Sequence, residues 1–300
     1  MELSVILPIF NGEQTLAATL DSLVDQTYKD FELIACIDGS KDSCELILKQ
    51  YSSKFKVLKI LENKVNLGLG PTMNRLLANT EGKYIAVAEQ DDFYYPNRLE
   101  LQVNFLKKNK DFGMVSGIAE FWDGNKVTMK FPGLLVQGKD YPKGIDMFLL
   151  NYRNQIKVVN SCMMFKKQIH IDNGLYFTQY YPNISIDWTY VLRFSLISKI
   201  YGLQEVLVRL DRRSERNSIT TYKDNQNKAA RELIRSFRYE YPEIISKKDY
   251  KFALNTQRIL ELGQDKGFVF LLKITIYILK NPKDHRFLKR LIKKIKNYKK

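Results

Sequence analysis

Gly82-Lys83-Tyr84-Ile85-Ala86-Val87-Ala88-Glu89-Gln90-Asp91-Asp92-Phe93-Tyr94-Tyr95-Pro96-Asn97-Arg98 is the stretch whose reading decides the fold. Tyr84 to Ala88 is a short apolar run, partly β-branched, which suits a strand buried on both faces of a parallel sheet. Three acids, Glu89, Asp91 and Asp92, follow at once, and Pro96 keeps the strand from continuing. Adjacent carboxylates at the carboxyl end of a central strand stand where open α/β sheets bind ligands. Hard oxygen ligands at such a place suit Mg²⁺ or Mn²⁺, whose remaining positions substrate phosphates can fill. Taken alone, the dipeptide reads first as a polar turn whose acids cap the next helix. The rest of the chain reverses that reading.

Upstream, strand and helix patterns alternate. Leu3 to Phe10 reads as a strand closed by Pro8 and the Asn11-Gly12 turn, and Leu16, Leu20, Leu23 and Val24 follow at helical spacing. Phe31 to Ile37 is a second strand, ended by Asp38-Gly39-Ser40-Lys41-Asp42 before a helix carrying Leu46, Ile47 and Tyr51. Val57 to Leu61 is the third, followed by Asn66-Leu67-Gly68-Leu69-Gly70 and a helix through Met73, Leu76 and Leu77. With Tyr84 to Ala88 as the fourth, the pattern predicts right-handed crossovers and a doubly wound, mostly parallel α/β sheet. No Gly-x-Gly-x-x-Gly follows the first strand and no Gly-x-x-x-x-Gly-Lys loop is present, which disfavours a dinucleotide enzyme or an ATPase.

The 300 residues are 45% hydrophobic and 27% charged, enough for a large core and without the signature of disorder. Cys36, Cys44 and Cys162 form no Cys-x-x-Cys pair, which fits buried thiols in a reducing compartment better than disulfides or zinc. Met1-Glu2 leads straight into an apolar strand, so a signal peptide is not expected. The net charge of +15 is unevenly placed: residues 266 to 300 hold twelve Lys or Arg against one acid, Asp284. A basic excess points to nucleic acid or an anionic membrane as a partner.

Ser4-Val5-Ile6-Leu7-Pro8, Ile37-Asp38-Gly39-Ser40-Lys41-Asp42, Asn66-Leu67-Gly68, Gly82-Lys83-Tyr84-Ile85, Gln90-Asp91-Asp92 and Pro96-Asn97-Arg98-Leu99-Glu100 together resemble the family 2 glycosyltransferases of the GT-A fold. The match is close over residues 2 to about 118 and looser to about 220, with Ile37 where the family often has an aspartate. The resemblance implies a GT-A domain over 1–220, divided into a nucleotide-sugar half (1–118) and an acceptor half (119–220); the residues beyond it, 221–300, read by themselves as a helical basic region. It implies an inverting transfer from a nucleoside-diphosphate sugar to a glycan or lipid-linked acceptor hydroxyl, in cell-surface polysaccharide or lipopolysaccharide synthesis. Asp91 and Asp92 would hold Mg²⁺ or Mn²⁺. Pro8, Asp38, Asn66, Gly68, Glu89 and Asp91 would line the donor, with Asp38 on the base and Glu89 near the ribose.

In the second half, Arg98 to Lys107 reads as a helix, and Phe112 to Phe121 and Val158 to Phe165 as strands. Trp122, Phe131 and Tyr141 are expected in core packing rather than stacked on sugar. Asp187-Trp188-Thr189 resembles the helix start that carries the family's catalytic base, although Ile186 replaces the usual first acid; the other reading of Asp187 is a helix N-cap. Arg212 and Arg213 occupy a turn where the family often has a histidine. A guanidinium there can clamp a diphosphate, or simply stand in water.

Phe268 to Leu279 is apolar but contains Lys273 and is too short to span a bilayer. Phe287, Leu288, Leu291, Ile292 and Ile295 share one helical face, with Lys289, Arg290, Lys293, Lys294 and Lys296 on the remainder. Such a basic amphipathic helix suits an anionic membrane surface better than a packing role or RNA, and places the protein in the cytoplasm, peripheral at the inner face of the cell membrane. The competing functions are a nucleotidyltransferase, which would need a triphosphate loop absent from residues 10–15, and a non-catalytic membrane- or nucleic-acid-binding protein on the same scaffold.

Overall fold

The computed structural model describes residues 1–131, 142–156, 159–178, 185–213, 223–262, 264, 267–288 and 292. It divides into two compact units, Met1–Leu150 with Ile156–Thr221, and Asn151–Gln155 with Tyr222–Lys300.

The first unit opens as β1 (Leu3–Ile9), α1 (Leu16–Val24), β2 (Phe31–Asp38), α2 (Cys44–Gln50), β3 (Val57–Asn63), α3 (Leu69–Ala78) and β4 (Tyr84–Val87). It continues through β5 (Asp92–Tyr94), α4 (Arg98–Lys108), β6 (Phe112–Trp122), β7 (Val127–Phe131), α5 (Ile145–Asn154), β8 (Met164–Lys166), α6 (Lys167–Asp172), α7 (Ile186–Ile197) and β9 (Lys199–Asp211). One sheet runs β3-β2-β1-β4-β8-β6-β9-β5, with β7 on β6. Its first four strands are all parallel, as the alternating pattern predicts. The second half mixes directions: β6 and β9 are parallel, while β4–β8, β6–β8, β6–β7 and β5–β9 are antiparallel.

The strand order reverses at β1 and β4, so the loops that leave these neighbours diverge and open a crevice at their carboxyl ends. Both faces of the sheet are covered. Leu3, Val5 and Leu7 point to one side, against Leu16, Leu20 and Leu23 of α1 and Leu99, Val103 and Leu106 of α4. Ile6, Ile34, Cys36, Ile85 and Val87 point to the other, against Met73, Leu76 and Leu77 of α3 and Tyr190, Val191 and Phe194 of α7. Each fully buried leucine or isoleucine contributes roughly 1.5–3 kcal/mol, and the period of two along β1 divides that gain between the layers.

One expectation needs correction. The strand predicted from Val158 to Phe165 is reduced to β8, preceded by a 3₁₀ turn at Asn160–Cys162, and residues 157 and 158 lie outside the described ones. The turn satisfies its backbone locally, since Cys162 N–H donates to Val159 O at 3.0 Å and Met163 N–H to Asn160 O at 3.0 Å. That leaves the buried side chains of Asn160 and Ser161 aimed at the acids described below. The acidic turn also runs directly into β5, which pairs with Val208–Leu210 of β9. A three-residue strand beginning on aspartate is too short to show a period.

The second unit contains α8 (Lys223–Glu240), α9 (Lys247–Leu262) and α10 (Gly267–Lys280). Ser246 and Asp249 cap α9 reciprocally: Asp249 N–H donates to Ser246 Oγ at 3.1 Å and Ser246 N–H to the Asp249 carboxylate at 3.2 Å. Phe270, Ile274 and Tyr277 of α10 pack on Ile259 and Leu262 of α9. Of the basic amphipathic helix expected over 283–300, residues 289–291 and 293–300 lie outside the described ones.

Candidate active site

The crevice at the ends of β1, β2 and β4 is held by side chains that bond to backbone. The Gln90 amide accepts from Phe10 N–H at 2.7 Å and donates to Phe10 O at 2.9 Å, tying the acidic turn to the end of β1. Gly12 lies against it; a Cβ there would come within 2.5 Å of Gln90 Cδ. The Asp38 carboxylate, 4% exposed, accepts from Asn63 Nδ2 at 2.7 Å, Leu67 N–H at 2.9 Å and Gly68 N–H at 2.9 Å. Asn66 Oδ1 also accepts from Gly68 N–H, at 2.9 Å. Asp38 thus clamps the very loop that holds Asn66 and Gly68. Gly39, at φ 67°, passes beneath that loop, and a Cβ on it would meet Asn66 N at 2.4 Å. Pro8 is buried in β1, paired with Cys36 of β2.

Ligand oxygens of Glu89, Asp91 and Asp92 come within 4.8 Å of one another. Asp92 is 2% exposed: one oxygen accepts from Ser161 Oγ, and Oδ1 has no hydrogen-bond partner. Burial, reinforced by the charge of Glu89, pushes its carboxyl well above the ordinary range, while Ser161, Arg212 and Arg98 pull the other way. Glu89 Oε1 accepts from Asn160 Nδ2 at 2.9 Å. Three mutually repelling carboxyl groups, one with an orphaned buried oxygen, fit a hard divalent cation, and an all-oxygen donor set suits Mg²⁺ or Mn²⁺. The metal set legible in the sequence, Asp91 and Asp92, gains Glu89 from the geometry.

Several residues at this site were missed in the sequence. Arg98 is fully buried behind the acids; its Nη2 donates to Val87 O at 2.7 Å and its Nε to Gln102 Oε1 at 3.2 Å, and the guanidinium lies 4.6 Å from the Tyr94 ring centroid. Arg98 and Gln102 are four apart and immediately precede Leu99 and Val103 of the buried stripe, a spacing that marks them as facing inward. Tyr94 Oη accepts from Glu89 N–H at 2.6 Å and donates to Glu89 O at 3.1 Å, fixing the start of the turn.

At the end of β9, Arg212 N–H donates to Trp122 O at 2.7 Å, and its guanidinium is 4.8 Å from the Phe121 ring centroid. Its positive charge acts on Asp92. Arg213 is paired with Asp211, Nη2 to Oδ2 at 2.6 Å. Against burial, the bonds from Arg213 hold the Asp211 carboxyl below its ordinary value. A cleft between Thr15, Thr19, Asp91, Trp122, Arg209 and Arg213 lies beside the acids. Trp122 is therefore a cleft wall, only half buried and 5.0 Å from the Arg209 guanidinium, rather than the core residue expected. Phe131 stacks on Phe121 at 6.1 Å, and Tyr141 lies outside the described residues.

Asp187 stands in the first turn of α7, half buried, its Oδ1 accepting from Trp188 N–H at 2.8 Å. The N-cap is Ser185, in the left-handed region at φ 54°, so Asp187 is not the cap. A carboxylate in the first turn is favoured by the helix dipole. His170 lies apart from the acids, its Nδ1 3.0 Å from Tyr190 Oη.

The family model described as Glycosyl transferase family 2 matches residues 4–172. The chain is 33% identical over 184 residues to the putative glycosyltransferase EpsE of Bacillus subtilis (strain 168), covering 59% of this chain and 66% of the relative. It is 31% identical over 128 residues to WfgD of Escherichia coli, named as a UDP-Glc:alpha-D-GlcNAc-diphosphoundecaprenol beta-1,3-glucosyltransferase, covering 43% of this chain and 49% of that one. The chain thus spans less than two thirds of either relative's length. Among solved structures, TarS 1–349 of S. aureus in complex with UDP-GlcNAc superposes with a TM-score of 0.66 at 16% identity, covering 93% of this chain and 80% of that one. At that identity the likeness is one of fold: the mostly parallel α/β architecture of GT-A proteins.

Proposed function

The chain belongs to glycosyl transferase family 2, and from that premise we propose that it moves a sugar from a nucleoside-diphosphate sugar to an acceptor hydroxyl, with inversion, in the synthesis of a cell-surface polysaccharide. The observation that carries this reading is the cluster of Glu89, Asp91 and Asp92 at the switch point of the sheet, with its orphaned Asp92 oxygen. Breaking an anomeric C–O bond leaves a diphosphate with added negative charge. The three acids would hold Mg²⁺ or Mn²⁺, which when bound supplies Lewis-acid stabilisation of that charge.

The remaining roles fall to side chains of this chain. Arg212, beside Asp92, would bind the diphosphate, with Arg213 held near by Asp211. Pro8 and the loop of Asn66 and Gly68, fixed by Asp38, would form the bed of the nucleotide. Asp187 would take the proton from the attacking hydroxyl. Its charge is steadied in the first turn of α7. Residues 1–118 would bind the donor and 119–220 the acceptor. The diphosphoundecaprenol in the name of WfgD supports a lipid-linked glycan acceptor, which in turn supports work at the inner face of the cell membrane. Among the described residues no helix is long and apolar enough to cross a membrane.

A screen of nucleoside-diphosphate sugars for slow hydrolysis tests the reading without knowledge of the acceptor. Hydrolysis of one donor class, lost with EDTA and in Asp91→Asn, is the expected result. Hydrolysis unaffected by EDTA would remove the metal from the mechanism, and hydrolysis of no donor, with no nucleoside diphosphate bound, would overturn the transferase reading.

A further inference from the structure

Helix α10, Gly267–Lys280, buries only a narrow stripe, Phe270, Ile274 and Tyr277, spaced i, i+4, i+7 against α9. Everything else on it is exposed, including Phe268 at 77% and Leu279 at 76%. At about 100° per residue, Phe268, Leu272 and Leu279 lie opposite the buried stripe, flanked by Val269 and Ile276 on one side and Leu271 on the other. Only Thr275 interrupts this apolar arc, about half the circumference. Lys273 and Lys280 fall together at one border of the arc, beside the buried stripe. A helix that packs by one edge and presents an apolar arc of this width to water has an unmatched surface of the kind that marks an interaction site.

The occupant is identified by charge. Residues 266 to 300 carry twelve Lys or Arg and one acid, and that one acid, Asp284, is itself paired with Arg286 at 2.5 Å. An apolar face within so basic a segment matches an anionic bilayer, into which the side chains sink while lysine ammonium groups reach up to the lipid phosphates. A helix of 14 residues is about 21 Å long, short of the roughly 30 Å of hydrocarbon needed to span. We infer that α10 lies in the plane of an anionic membrane and inserts its Phe268, Leu272 and Leu279 face. This deepens the membrane placement proposed above and moves the inserted surface from 283–300 to α10; it does not depend on the chemistry assigned to the acids.

The test uses the full chain with vesicles of phosphatidylglycerol and phosphatidylcholine, and of phosphatidylcholine alone. Phe268→Ser, Leu272→Ser and Leu279→Ser together keep every charge and touch only exposed positions. The triple variant is expected to lose partitioning onto anionic vesicles by about a hundredfold or more, from three apolar insertions, with donor hydrolysis in solution unchanged. Lys273→Gln with Lys280→Gln should weaken anionic binding and leave the weak binding to neutral vesicles as it was. Undiminished vesicle binding by the triple variant would overturn the inference in favour of a purely electrostatic tail. A lipid-free dimer, seen by light scattering and dissolved by the triple variant, would overturn it in favour of a second copy. Failure of donor hydrolysis with vesicle binding intact would sink the proposed chemistry and leave α10 at the membrane.

Discussion

Replacing Asp38 by Asn should loosen the donor crevice from outside its acidic cluster. In the wild type one carboxylate oxygen accepts from both Asn63 Nδ2 and Leu67 N–H, and the other accepts from Gly68 N–H. An asparagine would keep its carbonyl oxygen toward the first pair and turn its NH₂ against the Gly68 N–H, donor facing donor. One charge-assisted bond is lost and two become neutral. With charged-acceptor bonds worth about 1.5–3 kcal/mol and neutral ones about 1 kcal/mol, the loss is about 2.5–7 kcal/mol. Asn66 Oδ1 keeps its own bond to Gly68 N–H, so the figure belongs at the lower end. At roughly 2–4 °C per kcal/mol for a domain of this size, Asp38→Asn should lower Tm by at least about 5 °C. Hydrogen exchange at the Leu67 and Gly68 amides should accelerate, and nucleoside diphosphate affinity should fall with the loosened loop. A variant whose Tm and whose exchange at these two amides match the wild type would refute the clamp, and lost affinity alone would then make Asp38 a pure ligand contact.

Three further outcomes follow from single positions. Asp187→Asn should keep donor affinity and fold while turnover falls by roughly 10²- to 10⁴-fold; a variant that instead loses its α7 helix or its donor would show a structural residue. Gly39→Ala places a Cβ 2.4 Å from Asn66 N at φ 67°, and should destabilise by more than about 1–3 kcal/mol of backbone strain, read as a lowered Tm with weakened donor binding. Burial, then the charge of Lys167, holds His170 down to about 4. Because its folded value lies below the ordinary 6.5, the unfolded chain binds the proton first, and stability from this group is full above about 6.5 and is lost as pH falls toward about 4. His170→Phe should therefore lessen the drop in Tm between about pH 7 and pH 5, and an unchanged drop would count against a buried neutral imidazole.

The parallel half was legible because its strands are bounded by turn residues and β1, β2 and β4 are buried along their whole length, so the apolar runs of these three admit one reading. The acids at 89–92 were legible for the same reason, as polar residues where a buried strand stops. What escaped was set by contacts distant in sequence. Nothing local tells that β5 starts on Asp92, because its pairing with Leu210 lies far along the chain. Asn160 and Ser161 read as strand residues because their attraction to Glu89 and Asp92 is a tertiary fact. Trp122 read as core because an aromatic at the end of a long apolar strand usually is; the guanidinium of Arg209 beside the ring gives it a polar environment instead. The spacing of Arg98 with Gln102 turns it inward, but its full burial depends on the carbonyl of Val87 that receives its guanidinium.

The pairing of β5 with β9 also governs when the site can come into being during synthesis. Asp92 leaves the ribosome early, but its strand partner, Val208–Leu210, emerges more than a hundred residues later. Ser161, which receives the inner face of Asp92, comes in between. A nascent chain ending near residue 118 can assemble β1 to β4 from local crossovers and tie its acidic turn to Phe10 and Thr19, yet it lacks Ser161 and the β9 pairing, because closure of so long a loop waits for distant sequence. Under the proposed function, a cation at Glu89, Asp91 and Asp92 would gain its full support only after residues 119–211 are translated, and a ribosome stalled before residue 208 should display a folded sheet whose metal affinity falls short of the finished chain's.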